Sequence, residues 1–293
     1  MVRRILLASV GAMALAGTAF AADLTPPPPA PPPPPMWTGF YIGVNAGYDW
    51  ANNNGVQTTA HPFFAAPTWS TELALSTALA TGDPGLKPNG FIGGGQIGYN
   101  YQFANSFVIG IEADLQGIAG NTATNSFSGS GIPVGFPAET IDSTVISTKK
   151  LDYLGTVRGR VGYLITPTLL IYGTGGLAYG GITTSTSIFQ ANLPFAPPFA
   201  SFGRIVSTQV GWTAGGGAEW MFLPNWSAKV EYLYYNLGRV NNGLTPLAFT
   251  NAAGTLLYAS APFSSTRTSG NIVRAGIDYH FVWGAPAPVV AKY

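Results

Sequence analysis

The stretch FVIGIEADL, Phe107 to Leu115, sorts its side chains by parity. Phe107, Ile109, Ile111, Ala113 and Leu115 fall on one parity, Glu112 and Asp114 on the other. A strand sends successive side chains to opposite faces, so this run predicts one wholly apolar face and one that carries the carboxylates. The same sorting recurs along the chain. Arg158 and Arg160 oppose Val157, Gly159 and Val161; Lys229 and Glu231 oppose Ala228, Val230 and Tyr232. Arg274 and Asp278 oppose Val273, Ala275, Ile277, Tyr279 and Phe281, Asp49 opposes Tyr48 and Trp50, and Glu219 opposes Trp220. A soluble sheet would hide the apolar face; a sheet in lipid would do the reverse.

Composition selects the second arrangement. Only 9% of residues are charged against 46% hydrophobic, where a soluble domain carries about 25% charged residues. No apolar run reaches the roughly 20 residues of a membrane helix, and 38 glycines are scattered through the apolar segments. Helices and closed barrels alone satisfy every backbone group in hydrocarbon, so the expectation is a closed β-barrel. A net charge of +1 gives no reason to propose nucleic acid as a partner. The absence of cysteine rules out disulfides and thiolate metal sites, and the reading includes no cofactor and no metal.

The N-terminus supplies an address. Arg3 and Arg4 precede an apolar stretch from Ile5 to about Leu15, and Ala19-Phe20-Ala21 is a small-x-small cleavage signal, so residues 1–21 read as a secretory signal peptide cut after Ala21. Its removal takes the formal charge from +1 to about −1. Residues 22–38 form a proline-rich periplasmic segment; its core, Thr25 to Pro35, reads as a polyproline II spacer, with a docking role as the alternative.

Eight strand-like runs follow: Gly39–Trp50, Gly90–Phe103, Phe107–Ile118, Leu151–Tyr163, Leu169–Gly180, Ser207–Phe222, Trp226–Leu237 and Asn271–Phe281. Turns around Asn105, Pro167 and Pro224 join three pairs, while residues 51–88, 119–149, 181–206 and 239–269 read as long loops. Such alternation is how outer-membrane barrels place short turns in the periplasm and long loops outside. Phe40, Phe103, Phe107, Tyr163, Trp220, Phe222, Trp226, Tyr279 and Phe281 gather at the short-turn ends as one aromatic girdle; Tyr48, Trp50, Tyr179 and Trp212 suit the other.

The segments WTGFYIGVNAGYDW (37–50), GFIGGGQIGYNYQF (90–103), LDYLGTVRGRVGYLITPTLLIYGTGGLAYG (151–180), VGWTAGGGAEWMFLPNWSAKVEYLYYNLG (210–238) and NIVRAGIDYHF (271–281) resemble the alphaproteobacterial outer-membrane immunogenic proteins, a porin-like family of small barrels. The resemblance implies an abundant, surface-exposed barrel that supports envelope integrity. It also implies two alternatives, a narrow pore for small solutes or haemin binding through the outer loops, neither with a residue signature to carry over. Arg274-x-Gly276-x-x-Tyr279-x-Phe281 is similar to the signal that hands such proteins to the barrel-assembly machinery.

Sharper chemical readings lose. Gly93-x-Gly95-x-x-Gly98 with Asp114 downstream matches a dinucleotide fingerprint, but those glycines lie inside a strand-like run and open no helix. His280 shares a face with Asp278 without an identifiable serine or second acid, and reads as a polar lumen residue. His61, in HPFFAAPTW, is a candidate haem ligand, yet one loop histidine specifies no site.

The sequence therefore predicts an all-β protein, an eight-stranded antiparallel up-and-down transmembrane β-barrel over 39–281, integral to the outer membrane of a Gram-negative cell and not an enzyme. Its lumen charge network comprises Asp49, Glu112, Asp114, Asp152, Arg158, Arg160, Glu219, Lys229, Glu231, Arg274 and Asp278. Outer-membrane lipid and lipopolysaccharide are the expected surroundings. Residues 282–293, with prolines at 286 and 288, read as a periplasmic tail. Replacing Phe281 with a polar residue should impair insertion far more than deleting 282–293, because Phe281 closes both the signal and the girdle. Heat-modifiable folded protein in outer-membrane fractions measures the difference; equal loss would contradict the expectation.

Overall fold

The computed structural model describes residues 37–52, 55–194 and 198–281. The signal peptide with its cleavage at Ala21, the proline run and the tail over 282–293 lie outside the described residues. The elements are β1 (Gly39–Ala51), β2 (Val56–Ala65), α1 (Ser70–Leu79), β3 (Gly90–Phe103), β4 (Phe107–Ala119), β5 (Ala123–Gly131), β6 (Thr140–Thr166), β7 (Leu169–Leu193), β8 (Phe199–Leu223), β9 (Trp226–Gly243), β10 (Leu247–Thr250) and β11 (Leu256–Phe281).

Eight of the strands close a ring in the order β1-β3-β4-β6-β7-β8-β9-β11, and β11 pairs back onto β1 from Phe40↔Phe281 to Ala51↔Gly270. Every pairing is antiparallel. Three tight turns join β3 to β4, β6 to β7 and β8 to β9. Two of them need left-handed backbone, and asparagine accepts it at Asn105 (φ 61°) and Asn225 (φ 71°) because its short polar side chain tolerates that region.

Burial is inverted relative to a soluble sheet. Val44 and Val210 stand 65% and 66% exposed, whereas Arg158 is 2% and Glu219 0%. Apolar side chains thus cover the outside of the ring, as lipid requires, and the charges line its interior. In a ring of eight the interior is narrow enough for side chains to fill it, and they do so in layers. Nearest the short turns, Trp37, Val108, Leu164, Leu170, Tyr172 and Met221 pack together. Trp37 and Thr38, assigned by sequence to the proline-rich segment, belong to the barrel: the Trp37 indole donates to the Pro167 carbonyl at 3.0 Å, and the Thr38 hydroxyl accepts from the Gln102 amide at 3.0 Å. Above lies the charged layer, then an apolar layer that includes Ile92, Leu154, Ile182, Leu233 and Ile272.

The long connections are not loops. β6, β7, β8, β9 and β11 run far past the ends expected from sequence, and β2, β5 and β10 continue the pairing of β1, β4 and β9 onto β11, β6 and β11. An apolar outward parity marks a strand only as far as the sheet faces hydrocarbon. Beyond that level each face mixes apolar and polar residues, as in TIDSTVISTKK from Thr140, and the β-branched residues still favour a strand. The helix α1, unforeseen in the sequence, packs among β2, β5, β6 and β11. Ser76 donates to Gln190 Oε1 at 2.5 Å, and Leu73 joins Phe249 and Tyr258 in a core that fills the mouth of the long-hairpin end.

One lysine is swallowed by this extension. A bulge between Leu151 and Tyr153 reverses the parity of β6, so Lys149, above the apolar belt, points inward with 0% exposure. Its ammonium donates to the Arg267 carbonyl at 2.6 Å and to Thr266 Oγ1 at 3.1 Å and forms no ion pair among the described residues. Burial pushes its pKa down from 10.5 to about 7. The unfolded chain then binds a proton that the folded chain has lost between those pH values, so stability contributed by this site rises with pH from about 7 to about 10.5. Lys149→Met should raise the urea midpoint at pH 6, by at least about 1 kcal/mol of stability, and flatten the rise between pH 7 and 10. An unchanged pH profile would contradict it.

Candidate functional site

The interior charges come from strands whose inward parity the short turns hold in register. Glu112 pairs with Arg158 and Asp114 with Thr156 across β4 and β6, while Arg274 pairs with Glu231 across β11 and β9. In the ring of eight, β4 and β9 stand opposite each other. The Lys229 ammonium nevertheless reaches Glu112 Oε2 at 2.7 Å, so this bond crosses the lumen.

Two arginines organise the centre. Arg158 binds Glu112, meets Glu231 at 2.8 Å and Asp114 at 3.0 Å, and its Nε donates to Thr156 Oγ1 at 2.9 Å. Arg274 meets Glu231 at 2.6 Å, Asp114 at 3.0 Å and Glu112 at 3.4 Å. Arg160 pairs with Glu219 at 2.6 Å and lies 4.0 Å from the centroid of the Tyr172 ring. Tyr41 donates to Glu112 Oε2 at 2.7 Å and Tyr172 to Glu231 Oε1 at 3.2 Å. Asp278, 3.7 Å from Lys229, accepts from Gln96, whose own oxygen accepts from Asn45 at 2.9 Å. Gly98 gives the Tyr41 ring its place, since a Cβ there would sit 2.3 Å from Cζ.

At the short-turn side of this cluster, Ser227, His280 and Glu219 meet. Ser227 Oγ donates to Glu219 Oε1 at 2.6 Å and lies 2.9 Å from His280 Nε2, and that same nitrogen is 3.1 Å from Glu219. A serine relay needs the acid on the other ring nitrogen. With acid and serine both on Nε2, under Trp37 and Tyr41 at 5.7 and 5.4 Å between ring centroids, the three form a packed junction.

The outer-membrane protein β-barrel domain family matches residues 5–281 of this chain. The chain belongs to the outer-membrane β-barrel protein family. It is 34% identical to the 31 kDa outer-membrane immunogenic protein of Brucella melitensis, over 95% of this chain and 100% of that protein. It is 26% identical to the 25 kDa outer-membrane immunogenic protein of Brucella abortus over 86% of this chain and 93% of that protein, and 30% identical to the 22 kDa outer membrane protein of Rhizobium leguminosarum over 52% and 56%. Among solved structures it is similar to OprG from Pseudomonas aeruginosa, with a TM-score of 0.37 and 10% identity over 83% of this chain and 97% of that one.

Within this outer-membrane barrel the structure gathers nine of the sequence-derived lumen residues into one network: Glu112, Asp114, Arg158, Arg160, Glu219, Lys229, Glu231, Arg274 and Asp278. Asp49 is buried but separate, in the next layer, where the Tyr235 hydroxyl donates to its carboxylate at 2.9 Å. Asp152 is a correction. The bulge that turns Lys149 inward turns Asp152 outward, where it pairs with Lys150 at 2.7 Å and accepts from Thr183 at 2.8 Å. Glu219 does stand opposite Lys229 in the register, yet the two choose other partners, and Phe222 is left out of the pairing by a shift next to the turn. Tyr41 and Ser227 were missed although they share the inward parity of Asp49 and of Lys229, whereas Tyr172 and Gln96 lie on strands that carry no charge to mark the inward face. Of the assembly-signal residues, Arg274 and Gly276 face the lumen, while Tyr279 and Phe281 meet edge to face on the outside, 5.1 Å between ring centroids. His61 faces outward on β2, stacked on Phe263 at 5.2 Å.

Breaking a buried pair from one side leaves an uncompensated charge and costs about 3–5 kcal/mol. A double-mutant cycle of Lys229→Met with Glu112→Gln should therefore show a coupling of at least about 1 kcal/mol, and the cycle with Glu219→Gln a smaller one. Urea unfolding of the folded barrel in detergent reads both. Equal couplings would mean that register, and not the cross-lumen bond, sets the interaction.

Proposed function

We propose that this barrel has a structural, surface-exposed role in the outer membrane, with its long hairpins outside, and that it carries neither a solute path nor a catalytic step. The observation behind this reading is the Lys229–Glu112 bond across the lumen, inside an ion network that lies between two apolar layers. A solute would have to part buried charges from their partners, at a cost of several kcal/mol for each. The helix in the mouth of the long-hairpin end adds a third obstruction.

The hairpins then serve as the exposed surface. Their strands keep backbone hydrogen bonds well beyond the membrane, which gives the outer face a fixed shape instead of four mobile loops. The rival reading, a narrow pore, is separated by conductance. Folded wild-type barrel in planar bilayers should show no discrete conductance steps, and simultaneous Lys229→Ala and Glu112→Ala should produce at most small ones. Stable steps from the wild type would replace the structural reading with the pore.

A further inference from the structure

Beyond the membrane belt, two cations face each other without an anion. Arg239 on β9 and Arg267 on β11 are directly opposite in the register, and both are exposed. By sequence parity Arg239 should point into the lumen with Lys229 and Glu231. It does not, because Gly238, at φ +80°, forms a bulge that swings the following residue to the outer face. Like charges placed opposite each other destabilise a sheet. Among the described residues neither guanidinium has an ion-pair or hydrogen-bonding partner. Asp83, which lies against Gly55, pairs with neither.

Arg239 borders a cleft of about 500 Å³, lined also by Gln57, Thr59, Asn241, Asn242, Phe263 and Ser265. Its height is informative. On β9 the outward aromatic residues end with Tyr234, and Arg239 follows roughly 10 Å further along the barrel axis, by the rise of a tilted strand. A residue just beyond the outward aromatic residues falls at the depth where headgroups lie. Further down the same two strands, past Asn236, Asn271 and Tyr234, the outward residues Tyr232, Val230 and Val273 offer an apolar wall at 48%, 59% and 40% exposure.

We propose that Arg239 and Arg267 bind a phosphate group of the outer-leaflet glycolipid, with its acyl chains lying on the apolar wall beneath. Two guanidinium groups present paired N–H donors that match the oxygens of a phosphate monoester, and the anion removes the repulsion between them. The amides of Asn241 and Gln57 add neutral donors. The wall below is the reason to assign a lipid and not a free anion. The inference rests on the orientation with the hairpins outside.

The test uses the full folded barrel in nanodiscs of phosphatidylcholine doped with lipid A, with its dephosphorylated form, or with lipid A and inorganic pyrophosphate together. Lipid A retained by the purified barrel is measured by mass spectrometry. The wild type should retain lipid A over the dephosphorylated form by about tenfold, the loss expected when charge-assisted hydrogen bonds are removed. The pair Arg239→Ala and Arg267→Ala should remove that preference, and Arg239→Lys with Arg267→Lys should restore part of it. Equal retention of both lipids by the wild type overturns the proposal, without depending on any variant folding. Pyrophosphate that binds the arginines as tightly as lipid A and displaces it would assign a free anion and overturn the lipid. Both faces of a nanodisc carry the same lipid, so these outcomes are independent of orientation; labelling of the long hairpins on intact cells tests orientation separately.

Discussion

Closing eight strands into a ring brings inward side chains within reach of other walls, and nine ionisable groups form one network there, with Lys229 bonding Glu112 from the opposite strand. Arg158 and Arg274 each engage Glu112, Asp114 and Glu231, so carboxylates from β4 and β9 are shared by cations from β6 and β11. No member can leave alone without stranding another in a dry interior. The outward face follows from the same constraint: with the charges spent inside, only apolar residues remain for the side that meets lipid.

Much of this was legible in the sequence because the apolar and charged parities alternate without error inside the membrane. β3 has the expected bounds, Gly90–Phe103, and the tight turns fall where Asn105, Pro167 and Pro224 mark them. Legibility fails where the alternation does. A bulge inserts one residue without a mark in the pattern, and at Leu151–Tyr153 and Gly238 it exchanges the two faces. Asp152, Lys149 and Arg239 consequently stand on the sides opposite to those their sequence positions imply.

The second failure has a different cause. Register tells which residues are opposite, but a long side chain in a narrow lumen is free to prefer a partner on the far wall. Lys229 passes over Glu219 for Glu112, and Glu219 takes Arg160 in its place. A similar freedom let uncharged residues into the network: Tyr41 and Tyr172 donate to carboxylates whose remaining lone pairs would otherwise go unmet.

The last strand carries a consequence for synthesis. β11 closes the ring on β1, continues along β2 and β10, and supplies Arg274 and Asp278 to the lumen. A chain cut short before β11 would expose two strand edges and hold Asp114 and Glu231 without one of their cations. Such a fragment leaves the edges of β1 and β9 open, with backbone groups that hydrocarbon cannot satisfy. The salt network thereby ties closure to completion: only a chain translated to its final strand brings Arg274 to Asp114 and Glu231 and pairs the free edge of β1.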